Sequence, residues 1–284
     1  MVSLFDDQAA GLRKLFAGAR GPATVAFAGT KGRGALPAAL ARGLAAAGKE
    51  VLVIDEHAGA DNVAAAFGLR SRFDLLQAVN RDVPVAQVLL QPEPSIRLLP
   101  AARAARQCVR LDAMARRALA EWLRRLQKGV DFVLVDAVER AEADFSPLLP
   151  QPQRMVIAVS PDGPAITEAY ALMKRLAQRN GCRRFDIVVL GTARPAAVRT
   201  VFANLREVAR RHLGAELDLI GSVDGHDDAD RIGHALTESF LNPPRETAGG
   251  FPLAARGLRG APQEYFPDRG EPLPQGVTAA HQVV

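Results

Sequence analysis

Short runs of apolar, largely β-branched residues recur along this chain, separated by longer helical patterns, and that alternation leaves few possible folds. The runs are Thr24–Ala28, Val51–Asp55, Ile96–Leu99, Phe132–Asp136, Met155–Ser160, Phe185–Leu190 and Leu217–Val223. Helical patterns lie near Leu36–Ala47, Phe73–Val79, Val109–Gln127, Ala165–Arg179 and Ala196–His212. Each run is nearly continuous in its apolar character, as a strand covered on both faces must be. The expected fold is therefore α/β: a mostly parallel sheet of about seven strands with helices on both faces. Ligands of such sheets bind beyond the carboxyl ends of the strands. Gly29, Asp55, Asp136 and Ser160-Pro161 all fall there.

The first of those strand ends has the outline of a phosphate loop. Thr24–Ala28 runs into Gly29, four residues separate it from Gly34, and an Ala/Leu-rich helix follows. That is the strand–GxxxxG–helix layout of a P-loop, in which bare backbone N–H groups and a helix N-terminus cradle phosphate oxygens. A working loop continues with a Lys for the β/γ-phosphates and a Ser/Thr hydroxyl for Mg²⁺. This chain continues with Ala35 and Leu36, and Pro37 reads as ordinary punctuation at a helix start. An ordinary glycine-rich turn that binds nothing stands beside weak residual nucleotide binding as the reading of this segment.

Composition narrows the class further. Of 284 residues 48% are hydrophobic, enough for a sizeable core, yet no run of about 18 apolar residues could span a membrane. The first residues lack the basic-then-apolar pattern of a secretory signal. Cys108 and Cys182 stand alone, without metal-ligand spacing, and read as reduced thiols of a cytoplasmic protein. The net charge of +5 rests on scattered Arg pairs with no interleaved aromatic residues. That argues for solvated helix faces and against specific nucleic-acid recognition. Residues 3–19 form a candidate amphipathic helix with Leu4, Leu12, Leu15 and Phe16 on one side. Residues 242–284 hold seven Pro and six Gly, a composition that predicts disorder. The expected organisation is a partner-facing helix over 1–20, an α/β domain over 21–241 and a tail over 242–284.

Several segments together resemble one family. The loop at 29–34, Val51–Asp55 followed by Asp61-Asn62 and Gly68-Leu69, and Phe132–Asp136 are similar to MinD/ParA-type deviant Walker ATPases. Val159–Lys174 is similar to the corresponding segment of the flagellar-number regulators FlhG and FleN within that family. The N-terminal Asp7-Gln8-Ala9-Ala10-Gly11-Leu12-Arg13 resembles the motif with which those regulators activate the signal-recognition-type GTPase FlhF. The resemblance spans roughly residues 6–240. It implies a P-loop NTPase-like fold, ATP and Mg²⁺ as the family's ligands, and dimerisation around nucleotide.

Matched residue by residue, the family's nucleotide site is degraded here. Two registers of the loop are open. Anchoring on Gly29 and Gly34 puts Thr30 at the signature Lys, Ala35 at the phosphate Lys and Leu36 at the Mg²⁺ ligand. Anchoring on the helix gives a shorter loop, with Arg33 at the phosphate Lys and Gly34 at the hydroxyl. The nucleotide-binding remnant is then Gly29, Thr30, Lys31, Gly32, Arg33, Gly34, Asp55 and Asp136. A guanidinium at Arg33 does not reproduce a compact ammonium. His57 stands where the family has the water-orienting Asp, and Gly191 where it has the base-reading Asn. With no catalytic set intact and no metal ligands, the resemblance implies a pseudo-ATPase, or at most a weak ATPase, without a cofactor of its own. Asp55 and Asp136 are then left to cap neighbouring backbone, and His57 reads as a loop histidine.

The N-terminal motif is intact by contrast. Asp7, Gln8, Leu12 and Arg13 are the partner-activating set, with Gln8 reaching toward the GTPase's γ-phosphate; docking of this helix on its own domain is the plainer alternative. The expected function is control of flagellar number and placement through an FlhF-type GTPase, with a flagellar transcription regulator or switch-complex component as further partners. Recruitment to the cell pole by partners and a dimer are compatible with it. The last good helical pattern, Ala229–Leu241, contains Asp230, Arg231 and Glu238 and is no membrane anchor. Two other readings remain: an active ATP-dependent switch with an unorthodox loop, and a ParA-like protein that binds DNA non-specifically through its Arg-rich faces.

Overall fold

A computed structural model describes residues 21–29, 34–137, 146, 148, 152–191, 194–223 and 229–242. The expected partner helix over 1–20 and the tail beyond 242 lie outside the described residues. Eight described strands form one sheet: β1 (Ala23–Gly29), β2 (Val51–Asp55), β3 (Leu90–Glu93), β4 (Ile96–Pro100), β5 (Phe132–Asp136), β6 (Arg154–Val159), β7 (Arg184–Leu190) and β8 (Glu216–Val223). Their order is β3-β4-β2-β5-β1-β6-β7-β8, and every neighbouring pair is parallel except β3 with β4. The α/β expectation holds, with one strand more than the sequence announces.

The helices are α1 (Ala35–Ala46), α2 (Val63–Ala66), α3 (Leu75–Val79), α4 (Val85–Val88), α5 (Ala102–Gln107), α6 (Ala113–Leu126), α7 (Gly163–Asn180), α8 (Pro195–Leu213) and α9 (Ala229–Leu241). The pattern over Val109–Gln127 divides. Residues Cys108–Arg110 form a 3-10 turn, and α6 starts only after Asp112, whose carboxylate accepts the Ala115 N–H at 2.7 Å. The helix expected from Phe73 starts at Leu75 for a similar reason. Asp74 and Gln77 close a capping box around its first turn.

The central strands β1, β2 and β5 are largely apolar because each faces a core on both sides. Ala26 and Ala28 of β1, Leu52 and Ile54 of β2, and Val133 and Val135 of β5 point to one side. There they meet Leu119 and Leu123 of α6, Leu172 and Leu176 of α7, and Leu205 of α8. Val25 and Phe27, Val51 and Val53, and Phe132 and Leu134 point to the other. Those pack on Leu36, Leu40 and Leu44 of α1 and Ile232, Leu236 and Phe240 of α9. The period of two along each strand thus distributes one apolar run between two helical layers.

One polar cluster ties β6, β7 and α9 together. Asp186 sits in β7 among apolar neighbours and is 7% exposed. The Arg154 guanidinium grips it with two bonds of 2.7 and 2.8 Å, donates a third to the Ser239 carbonyl at 2.9 Å, and lies 3.9 Å from the Phe240 ring centroid. A fork of this kind satisfies a carboxylate that burial would otherwise leave costly. Arg154→Ala is expected to destabilise the domain by roughly 2–4 kcal/mol, somewhat below the full cost of orphaning a buried charge because the guanidinium is partly exposed. Urea unfolding would measure it, and Arg154→Met with Asp186→Leu should recover most of the loss. A single-variant loss under about 0.5 kcal/mol would contradict this account.

Candidate functional site

The sheet gathers the candidate residues at one end. Strand register aligns Asp55 with Asp136 across β2 and β5, Phe27 with Asp136 across β5 and β1, and Gly29 with Ala158 across β1 and β6. The helices that follow β1 and β6 go to opposite faces, α1 to one and α7 to the other. Beyond the strand ends at such a divergence is the usual ligand position in an open α/β sheet. Ser160 and Pro161 follow β6 at that same end. Here α7 supplies its own anion, since Asp162 caps it by accepting the Ala165 N–H at 2.9 Å.

Gly29 ends β1 with φ +147, and a Cβ there would stand 2.6 Å from the Ala158 carbonyl oxygen. Only glycine fits that turn. Thr30, Lys31, Gly32 and Arg33 lie outside the described residues. The helix resumes at Gly34, the N-cap of α1, which has no side-chain cap. Ala35 is exposed, whereas Leu36 is 2% exposed and packs in the core with Leu40 and Leu44. Pro37, in the third helical position, has no N–H, so the first turn offers fewer backbone donors to an anion than it otherwise would.

Asp55 closes the loop after β2. Its Oδ1 accepts the His57 N–H at 3.1 Å and its Oδ2 the Ala64 N–H at 3.2 Å. The His57 ring Nε2 lies 3.1 Å from Asp61 Oδ1. Asn62 caps α2 by accepting the Ala65 N–H at 2.9 Å and donates to the His57 carbonyl at 3.4 Å. This knotted loop presses its backbone on the start of α1, where a Cβ on Gly34 would fall 2.5 Å from the Asn62 carbonyl carbon. His57 thus acts within a surface loop in contact with Asp61.

Asp136 is fully buried at the end of β5. The sequence reading passed over two residues beside it. Glu56 is 2% exposed, accepts the Ser146 hydroxyl at 2.5 Å, and donates its N–H to the Asp136 carbonyl at 3.2 Å. Ser146 is itself fully buried, 90 positions away in the chain. A glutamate just past a strand end reads as solvated, and nothing local pairs it with a distant serine. Three acidic residues, Asp55, Glu56 and Asp136, are therefore buried at or just past the ends of the adjacent strands β2 and β5. Elsewhere at this end Gly191, with φ +76, is exposed and donates its N–H to the Val223 carbonyl at 2.7 Å. Gln8, Asp7, Leu12 and Arg13 lie outside the described residues. Among the described residues no cluster of His, Cys, Asp and Glu could hold a metal ion. Cys182 is buried, and burial pushes its thiol up to about 11, far from a reactive thiolate.

Sheet order, the glycine that ends β1 and acids at the ends of β2 and β5 are those of a P-loop NTPase-like α/β fold. No family model matches the chain. It is 27% identical over 184 residues to the antiactivator FleN of Pseudomonas aeruginosa, covering 65% of this chain and 66% of that protein. It is 26% identical over 199 residues to the flagellum site-determining protein YlxH of Helicobacter pylori, covering 69% and 66%. The chain thus spans just under two thirds of the length of both relatives. The MinD septum site-determining protein of Pyrococcus horikoshii, solved with Mg-ADP, shares the fold at a TM-score of 0.53 and 14% identity, covering 80% of this chain and 98% of that one. The chain is thus similar in sequence to two flagellar proteins and shares the fold of MinD-type structures. No helix among the described residues is long and apolar enough to cross a membrane.

Burial raises the Asp55 carboxyl from 3.8 to about 6, against the opposing pull of the Ala64 and His57 amides. The folded state therefore holds this proton more tightly than the unfolded chain. The stability it lends is fully present below pH 4 and is lost as pH rises through 6, on the order of 3 kcal/mol at most. Asp55→Asn cannot titrate. The stability gap between wild type and this variant, from denaturant unfolding at pH 4 and at pH 7, should move in the variant's favour at the higher pH. A gap independent of pH would show that Asp55 does not carry this proton.

Proposed function

We propose that this chain regulates flagellar number and placement as a MinD-like protein whose own nucleotide switch is degenerate, acting through an FlhF-type GTPase. The observation that carries the reading is the head of α1. In the register anchored on Gly29 and Gly34, where a P-loop places an ammonium and then a hydroxyl, this helix has a bare methyl at Ala35 and a core side chain at Leu36. A leucine immersed among Leu40, Leu44 and Val53 cannot turn out to a cation without emptying its place in the core. Asp55 is taken up by the amides of its own loop, which supports a structural role for it. The flagellar function rests on the two relatives, one named an antiactivator and the other a site-determining protein. The link to an FlhF-type GTPase rests on the Asp7–Arg13 motif.

Titration of the protein with a fluorescent ATP analogue and Mg²⁺ should give no saturation up to about millimolar concentration, and no phosphate release above background. Micromolar binding with turnover would instead make this an active switch with an unorthodox loop. In a separate measurement, the full chain should stimulate GTP hydrolysis by an FlhF-type GTPase. Gln8→Ala should reduce that stimulation at least about tenfold if Gln8 acts at the γ-phosphate. Equal stimulation by both proteins would remove Gln8 from the mechanism.

A further inference from the structure

Helices α1 and α9 lie on the same side of the sheet, and glycines let them cross closely. A Cβ on Gly233 would collide with the Ala39 carbonyl oxygen, and one on Gly43 with Thr237 Oγ1. From that crossing toward the carboxyl ends of both helices runs a groove of about 450 Å³. Its lining is mostly apolar, with Ala46 and Ala47 on one wall and Leu241 on the other. Both alanines are exposed, so their methyl groups are open to a docking side chain. Two charged residues border the groove. Arg42 is committed elsewhere, bonded to Glu93 at 2.7 Å and lying 4.6 Å from the Phe67 ring centroid. Glu238 is exposed, and its side chain makes no ion pair with a described residue. An apolar floor with one available carboxylate suits a short apolar stripe flanked by a cation.

The chain itself supplies such a stripe. Leu12, Leu15 and Phe16 recur at the i, i+3, i+4 spacing by which a helix anchors in a groove, and Arg13 lies within that run. The fold brings their attachment point to the same end of the domain. Val25 of β1 pairs with Arg154 of β6, and the Arg154 guanidinium holds the Ser239 carbonyl of α9. Ala23 packs on the core that also takes Phe240 and Leu241. The amino end of β1, into which residues 1–20 lead, is therefore beside the carboxyl end of α9, where the groove runs out. Five residues lead from Phe16 to Gly21, a reach of up to about 17 Å when extended. The segment after α9 is a poorer fit. It begins Pro243-Pro244-Arg245-Glu246-Thr247 and has no apolar stripe at helical spacing before Phe251.

We propose that the groove between α1 and α9 is the docking site for residues 12–16 of the same chain. Leu12, Leu15 and Phe16 seat against Ala46, Ala47 and Leu241, and the Arg13 guanidinium meets the Glu238 carboxylate. A short tether raises the local concentration of a segment to about the millimolar range, so contacts too weak to hold a separate peptide suffice. Docking occupies Arg13 and the apolar stripe together, and a partner must compete with the groove for both. That consequence for a GTPase partner rests on the activating role proposed above; the docking itself does not.

The test is amide hydrogen exchange of the full chain, read by mass spectrometry without any GTPase present, so that its outcome is separate from that of the stimulation assay. Ala46→Lys combined with Ala47→Lys charges the groove floor and leaves the docking segment unchanged. Amides of residues 12–20 should exchange at least about tenfold faster in this variant than in the wild type. Leu15→Asp combined with Phe16→Asp should in turn speed exchange over residues 42–47 and 234–242, which line the groove. Both alanines are exposed, so the melting temperature and the slow exchange of β2 and β5 should stay as in the wild type. Equal exchange of residues 12–20 in the wild type and the groove variant would overturn the proposal. Protection that rises with protein concentration, together with a dimer in sedimentation velocity, would assign the groove to a second copy instead. Loss of protection over residues 243–251 rather than 12–20 would assign it to the segment after α9.

Discussion

A parallel sheet has no face that water can wet without penalty here, and most of the molecule follows from that. The crossover helices must return over the sheet, and each strand must be apolar on both sides to receive them. Leu52 and Ile54 serve one core while Val51 and Val53 serve the other. Because all the described strands except β3 run in one direction, their carboxyl ends meet at one edge. Gly29, Asp55 and Asp136 are neighbours for that reason alone. The apolar layers position the polar site, and the site contributes nothing to its own assembly until the loop after β2 closes.

That closure gives the site its present character. Asp55 ends a fully buried strand, yet both its oxygens serve amides of the following turn. His57, Asp61 and Asn62 complete the turn, and its backbone rests on Gly34. A carboxylate so occupied is preorganised for holding a loop rather than for turning toward a ligand. Its neighbours Glu56 and Asp136 share the burial, so three acidic side chains lie buried together at these strand ends. Burial rather than charge pairing sets the protonation of Asp55, because the desolvation penalty outweighs the two amide bonds.

The Arg154–Asp186 fork crosses from sheet to α9 and is the counterpart, on that side, of the apolar contacts that Leu236 and Phe240 make. By contrast the many surface Arg residues contribute little to folding; exposed ion pairs such as Glu121 with Arg125 are weak.

The amino-acid sequence by itself determined the α/β class and seven of the eight described strands, because burial on both faces writes itself as an unbroken apolar run. Strand β3 escaped it: Leu90–Glu93 is four residues long and contains Pro92, so it has neither length nor alternation to announce it. It exists because a tight turn, with Ser95 at φ +62, folds it back on β4. The short helices α2, α4 and α5 escaped for the same reason, since fewer than two turns show no period. At the site, Gly29, Asp55 and Asp136 were legible from their position after strands. Only the tertiary structure decided that Glu56 is buried with Ser146 and that Leu36 belongs to the core. Those are consequences of long-range packing, and a local pattern of residue types carries no record of which distant residue it will meet.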